Sequence, residues 1–212
     1  MTVSANPHLA IAPVITGTVL EESRMVGVLA HGRDQDEQLM LDVVERLDLP
    51  DVGYVLPVAA GNAWYPGRHF DPVSANEPHI SWALEALEAA LGVALGAGVP
   101  EERIVLAGFS QGACLTAELI ARRPRPLGGV GVLTGCLFGP LGDQVTPVRV
   151  DGLAVFMQSS RVDEWIELEY VEAAARAFEA AGARITLETN QDPVHHVSDD
   201  AVAGLRRLLS DH

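Results

Sequence analysis

Short apolar runs alternate along this chain with longer stretches of helical period. Residues 26–30, 53–58, 104–107, 129–133 and 153–157 have the length and composition of strands buried on both faces. Between and after them the period changes. In residues 78–97, Leu84, Leu87, Leu91 and Leu95 fall on one helical face, as do Leu39, Val43 and Leu47 earlier. Val171, Ala174, Ala175 and Phe178 repeat the pattern, and Val202, Leu205 and Leu209 close the chain with it, after a further strand at 184–188. Strands alternating with helices predict an α/β fold with a mostly parallel central sheet covered on both faces. In such sheets ligands sit at the carboxyl ends of the strands, so the strand-to-helix turns are where chemistry is expected.

Composition narrows the picture. The 212 residues, 48% hydrophobic and 20% charged, suit one soluble domain over 1–212, and neither repeat nor linker divides them. All 14 basic residues counted as Lys+Arg are arginine. Without lysine, Walker-type phosphate loops, Schiff-base catalysis and Ser-Lys dyads are excluded. A net charge of −15 disfavours nucleic acid and anionic membranes. Cys114 and Cys136 fit no disulfide framework and no metal-ligand spacing, and read as free buried thiols in a reducing compartment. Residues 1–10 carry no secretory pattern, and the uncharged stretch 126–142 is too broken by Gly and Pro to span a bilayer. The expected setting is cytoplasmic, with a small-molecule substrate as partner, no membrane insertion, and a homodimer left open.

Four strand-end turns carry candidate chemistry. The first is Gly108-Phe109-Ser110-Gln111-Gly112, a G-x-S-x-G between an apolar strand and a helix that ends at Pro124. Serine at such an elbow is pushed above the sheet, and the flanking glycines let backbone pass where a Cβ would clash. The helix start adds free N–H groups for a developing oxyanion. A hydroxyl needs a base and an orienting acid, expected in the order Ser, acid, His. Asp163 follows the strand at 153–157, and His195-His196 follow the strand at 184–188. Spacing alone leaves His195 and His196 open, and Glu164 and Asp192 are substitutes for Asp163. A lone loop aspartate is just as well a helix cap.

The fourth turn is His31-Gly32-Arg33-Asp34, after the strand at 26–30. Here a second oxyanion N–H is expected, so the backbone amides of Arg33 and Gln111 are the candidate donors. His31 reads as a structural hydrogen-bonding residue. Trp64, Tyr65, Leu137, Phe138 and Trp165 lie on loops at the same edge and are candidates for an apolar substrate pocket.

From His31-Gly32-Arg33 through Gly108-Phe109-Ser110-Gln111-Gly112 to His195-His196-Val197-Ser198, the chain resembles the phospholipase/carboxylesterase branch of the α/β-hydrolases, which includes acyl-protein thioesterases. Asn62-Ala63-Trp64-Tyr65-Pro66, with Asn76-Glu77-Pro78, is most similar to a bacterial subgroup described as hydroquinone- or dioxygenase-associated carboxylesterases. The resemblance implies an α/β-hydrolase fold with little or no lid, a Ser110, Asp163, His195 triad, no cofactor and no metal, and small or aromatic ester-like substrates. The family places the histidine first in its terminal signature, which selects His195. Three departures ring the site. Asp34 stands where the family usually has glycine, Asp163-Glu164-Trp165-Ile166 replaces Asp-Pro-x-Val/Ile-Pro, and Gln191-Asp192-Pro193-Val194 replaces a glycine-rich approach to the histidine.

The resulting expectation is a serine carboxylesterase acting on an ester or thioester. Two alternatives stay beside it. One keeps the triad but cleaves a carbon–carbon bond next to a ketone in an aromatic-derived metabolite. The other is a binding protein on a hydrolase scaffold, since fold does not fix function.

Overall fold

The computed structural model describes residues 5–210. Seven strands form one sheet in the order β1-β3-β2-β4-β5-β6-β7, where β1 is Val14–Gly17, β2 Met25–Ala30, β3 Val52–Leu56, β4 Ile104–Phe109, β5 Gly129–Leu133, β6 Ala154–Ser160 and β7 Arg184–Asn190. Among the described residues only β1 runs antiparallel, pairing with β3 at the edge; every other pairing is parallel. Among the described residues five α-helices complete the fold, beside short 3-10 turns: α1 Glu37–Leu47, α2 His79–Gly96, α3 Gln111–Arg122, α4 Leu168–Ala180 and α5 Asp199–Ser210. The expected alternation is therefore present, and among the described residues no inserted lid domain interrupts it.

Period-2 alternation in the central strands feeds two cores. Val26, Val28 and Ala30 of β2 and Ile104 and Leu106 of β4 face α2, α3 and α4. Met25, Leu29, Val105, Ala107 and Phe109 face α1 and α5. Helix character follows exposure. α2 is apolar around most of its circumference and packs Ile80, Leu84, Leu87 and Leu91 into the first core. α1 starts where the Asp36 carboxylate accepts from the Gln38 N–H at 3.0 Å, and turns Met40, Val43 and Leu47 inward. Among the described residues no helix is long and apolar enough to cross a membrane.

Among the departures from the sequence expectation, two stand out. β1 is an added strand, four residues long and half exposed, so its apolar run is too short to register as a period. β6 continues to Ser160, beyond the expected end at 157, because Gln158, Ser159 and Ser160 pair with Glu188, Thr189 and Asn190 of β7. That extension brings the strand end within three residues of Asp163. The crevice that matters lies between β2 and β4: the chain leaves β2 toward β3 on one side and returns to β4 on the other. At this switch of direction the loops after both strands diverge and leave room for a ligand.

Candidate active site

Ser110 joins β4 to α3 with φ 53° and ψ −114°, a conformation that costs a non-glycine residue about 1–3 kcal/mol. Its surroundings hold it there. The Ser110 N–H donates to the Leu133 carbonyl at 3.0 Å, and its own carbonyl accepts from the Cys114 N–H at 3.0 Å. The two glycines of the motif are sterically required. A Cβ on Gly108 would lie 2.3 Å from the Gly112 carbonyl, and one on Gly112 would lie 2.3 Å from the Ala30 carbonyl oxygen. The elbow thus packs directly on the end of β2, which is what aims the hydroxyl into the crevice.

Three side chains from three loops meet in series. His195 Nε2 lies 2.9 Å from Ser110 Oγ, and His195 Nδ1 lies 2.8 Å from Asp163 Oδ2. With Nδ1–H donating to the carboxylate, Nε2 is left to accept from the hydroxyl. Asp163 also fills the role of a cap: its Oδ1 accepts from the Trp165 and Ile166 N–H groups, both at 2.9 Å. Burial of the carboxyl opposes its charge, but the hydrogen bonds from His195, Ile166 and Trp165 outweigh burial and hold its pKa below the ordinary aspartate value. Phe109 packs against the His195 ring at 4.9 Å between centroids.

Neighbouring candidates fall elsewhere. His196 pairs through Nε2 with Asp192 at 2.7 Å, half-exposed and turned from the serine, so Asp192 serves the other histidine of the loop. Asp163, not Glu164, meets the His195 ring. His31 has both ring nitrogens on backbone, Nδ1 against its neighbour's carbonyl, Gly32 O, at 2.7 Å and Nε2 accepting from Ala59 N–H at 3.1 Å. Burial lowers its pKa, and it is a fixed strut beneath the turn.

The turn from His31 to Asp34 is close to the serine: a Cβ on Gly32 would lie 3.0 Å from Ser110 Cβ. Asp34, where a glycine was expected, adopts φ 57°, the left-handed conformation glycine favours. Its N–H donates to Asn62 O at 2.7 Å, which helps hold the turn despite the substitution. Among the described residues the Arg33 and Gln111 N–H groups have no carbonyl partner, and both residues line the cleft beside Ser110.

That cleft is about 220 Å³ in volume. Tyr65 and Trp165 lie on its wall as expected, Trp165 half-exposed with its ring 6.2 Å from that of His195. Trp64, Leu137 and Phe138 do not, contrary to the sequence expectation. All three are fully buried. The Trp64 indole N–H donates to His31 O at 2.8 Å, the Phe138 ring packs edge-on to Tyr65 at 4.8 Å, and the Phe138 N–H donates to the buried Glu118 carboxylate at 3.2 Å. They form the floor under the pocket, because the apolar residues of these loops satisfy the core first. Cys114 and Cys136 are buried free thiols in the same floor.

The sequence profile of phospholipases and carboxylesterases matches residues 14–212. The chain belongs to the phospholipase/carboxylesterase family. The crystal structure of a phospholipase/carboxylesterase from Dyadobacter fermentans superposes with a TM-score of 0.85 at 26% identity, covering 93% of this chain and 95% of that one. A carboxylesterase structure from Mesorhizobium loti, 21% identical with a TM-score of 0.71 over 90% of each chain, shares the fold. Acyl-protein thioesterase 1 of Cryptococcus neoformans is 28% identical over 146 residues, 60% of this chain and 58% of that protein. The chain spans about three fifths of the length of the curated relatives it matches.

Within this phospholipase/carboxylesterase chain, sequence reasoning missed much of one cleft wall. Gly67, Arg68 and His69 line it, and Ile166 lines the same cleft. They are carried by a loop strapped down from three sides. The Arg33 guanidinium donates to the carbonyls of Tyr65, Pro66 and Gly67, the Gln111 amide spans Trp64 N–H and Tyr65 O, and Asn76 Oδ1 accepts from Gly67 N–H at 2.7 Å. The conspicuous Asn76 of the sequence motif thus sets the shape of this wall. His69 is buried and Nε2 lies 3.0 Å from Glu167 Oε2, off the line of a hydrogen bond. Burial lowers its pKa, against the pull of Glu167, so it presents a neutral ring.

Proposed function

We propose that this protein is a serine hydrolase of small carboxylic esters or thioesters, acting through an acyl-serine intermediate. The observation that carries the reading is the continuous chain from Ser110 Oγ through His195 to Asp163, at 2.9 and 2.8 Å. As Oγ attacks the carbonyl carbon, His195 Nε2 takes its proton, and Asp163 stabilises the imidazolium that forms. The Arg33 and Gln111 N–H groups receive the tetrahedral oxyanion. His195 then gives its proton to the departing alkoxide or thiolate. Water enters, loses a proton to the same nitrogen, attacks the acyl carbon and releases the acid with Ser110 restored.

The size of the cleft, about 220 Å³, lies below the roughly 300–1,000 Å³ usual for drug-sized ligands and supports a short acyl group. Tyr65 and Trp165 supply ring surface, which supports an aromatic alcohol on the leaving side. The test is a substrate panel: 4-nitrophenyl acetate, butyrate and dodecanoate, a short acyl thioester, and a 1,3-diketone. The expected result is turnover of the short esters and the thioester, with kcat/KM falling by 10-fold or more at dodecanoate, and none of the diketone. Cleavage of the diketone alone would replace this reading with carbon–carbon hydrolysis.

A further inference from the structure

Resting on the hydrolase reading, we propose that the cleft selects esters that carry a carboxylate, which Arg68 binds with Arg33 behind it. The chain has a net charge of −15, yet the formal charges lining its cleft are two arginines and one aspartate, Asp34, which is exposed at the rim. Elsewhere much of the acidic surplus pairs cations: Arg24, Arg46, Arg122, Arg123, Arg125, Arg149, Arg176 and Arg207 each meet a carboxylate. Among the described residues Arg33 and Arg68 do not, nor do Arg103, Arg161, Arg184 and Arg206, but of these six only Arg33 and Arg68 line the cleft. Arg33 is held by neutral carbonyls. Arg68 is held by rings, its guanidinium 5.4 Å from the Phe70 centroid and 5.2 Å from that of Trp165, with one N–H on Trp165 O at 3.3 Å.

The nearby carboxylates are committed elsewhere. Asp71 accepts the Arg68 backbone N–H at 2.7 Å rather than its guanidinium, Glu167 lies against His69, and Asp163 holds His195. Ring contacts orient the Arg68 plane without neutralising it, and its remaining N–H donors suit the bidentate fork that a carboxylate accepts. Because Arg68 packs on Trp165, and Trp165 stands beside His195, this cation is within the same cleft as the scissile bond. A long neutral acyl chain would instead have to desolvate both guanidinium groups.

Two matched pairs test the idea: 4-nitrophenyl hemiglutarate against 4-nitrophenyl hexanoate, with the carboxylate on the acyl side, and 4-acetoxybenzoate against its methyl ester, with it on the alcohol side. In at least one pair the anionic ester is expected to win by about 10- to 100-fold in kcat/KM, mainly through KM, as a charged hydrogen-bond pair is worth. The preference should shrink as salt is raised to 1 M. It should vanish in Arg68→Gln and survive in Arg68→Lys, each read as the anionic-to-neutral ratio within one folded enzyme. Equal or reversed ratios in both pairs of the wild type would overturn the proposal, as would a ratio unchanged in Arg68→Gln. If neutral esters were still hydrolysed in a Ser110-dependent way, the hydrolase reading would stand without it.

Discussion

Ser110→Ala is expected to lower kcat on 4-nitrophenyl acetate by about 10⁶-fold, close to 8 kcal/mol at 1.36 kcal/mol per decade. The reason is that no other nucleophile occupies the position. His195 Nε2 is aimed at Ser110 Oγ at 2.9 Å, and the nearest thiols, Cys114 and Cys136, are fully buried beneath the cleft. What remains is water activated by His195 next to the Arg33 and Gln111 amides, worth roughly 10³–10⁴-fold over solution. Alanine fits the elbow, so the variant should fold, and its melting temperature should stay near that of the wild type. Steady-state kinetics on both proteins check this. Retention of more than about one hundredth of kcat would remove Ser110 from the covalent step, because triad members act as a unit.

Asp163→Asn should cost about 10⁴-fold in kcat, roughly 5 kcal/mol, with little change in folding. The direction follows from the two ends of the carboxylate. Oδ1 accepts from the Trp165 and Ile166 N–H groups, which only an oxygen can satisfy. An asparagine therefore keeps its carbonyl on those amides and turns its NH₂ toward His195 Nδ1. That imidazole must then carry its proton on Nε2 and donate to Ser110, the tautomer unable to act as a base. Asp163→Ala, lacking both ends, should lose the loop as well as the tautomer and fall in stability. Kinetics beside thermal melts separate the two cases. Since the Asp163 pKa is depressed in the folded protein, its contribution to stability is present at neutral pH and is lost only as pH falls below the ordinary aspartate range.

Much of this site was legible in the sequence because the signals that carry it are local. Gly108 and Gly112 flank Ser110 for a steric reason that follows from any strand-to-helix elbow, and the strand runs before Ser110, Asp163 and His195 place all three at one edge. The choice between His195 and His196 was not local: each has its own carboxylate, and only the resemblance to a family selected the one that reaches Ser110. The pocket was less legible for a different reason. Trp64, Leu137 and Phe138 have the same composition signal as Tyr65 and Trp165, and whether an aromatic residue on a loop faces a core or a cleft depends on packing from residues far away, such as Glu118 and His31. Arg68 looks in sequence like any exposed charge; its significance comes from the ring contacts with Phe70 and Trp165 and from the carboxylates that do not reach it. Asp34 shows the opposite case. It stands where the family usually has glycine, and the backbone takes φ 57° there all the same.

The central claim is that one hydroxyl, activated through His195, forms the covalent bond to substrate. Incubating the folded protein with a fluorophosphonate and measuring its intact mass tests this most directly. The account predicts a single adduct per chain, mapped by peptide sequencing to Ser110 and absent from Ser110→Ala. An adduct on another residue, or none from a protein that still hydrolyses esters, would contradict it.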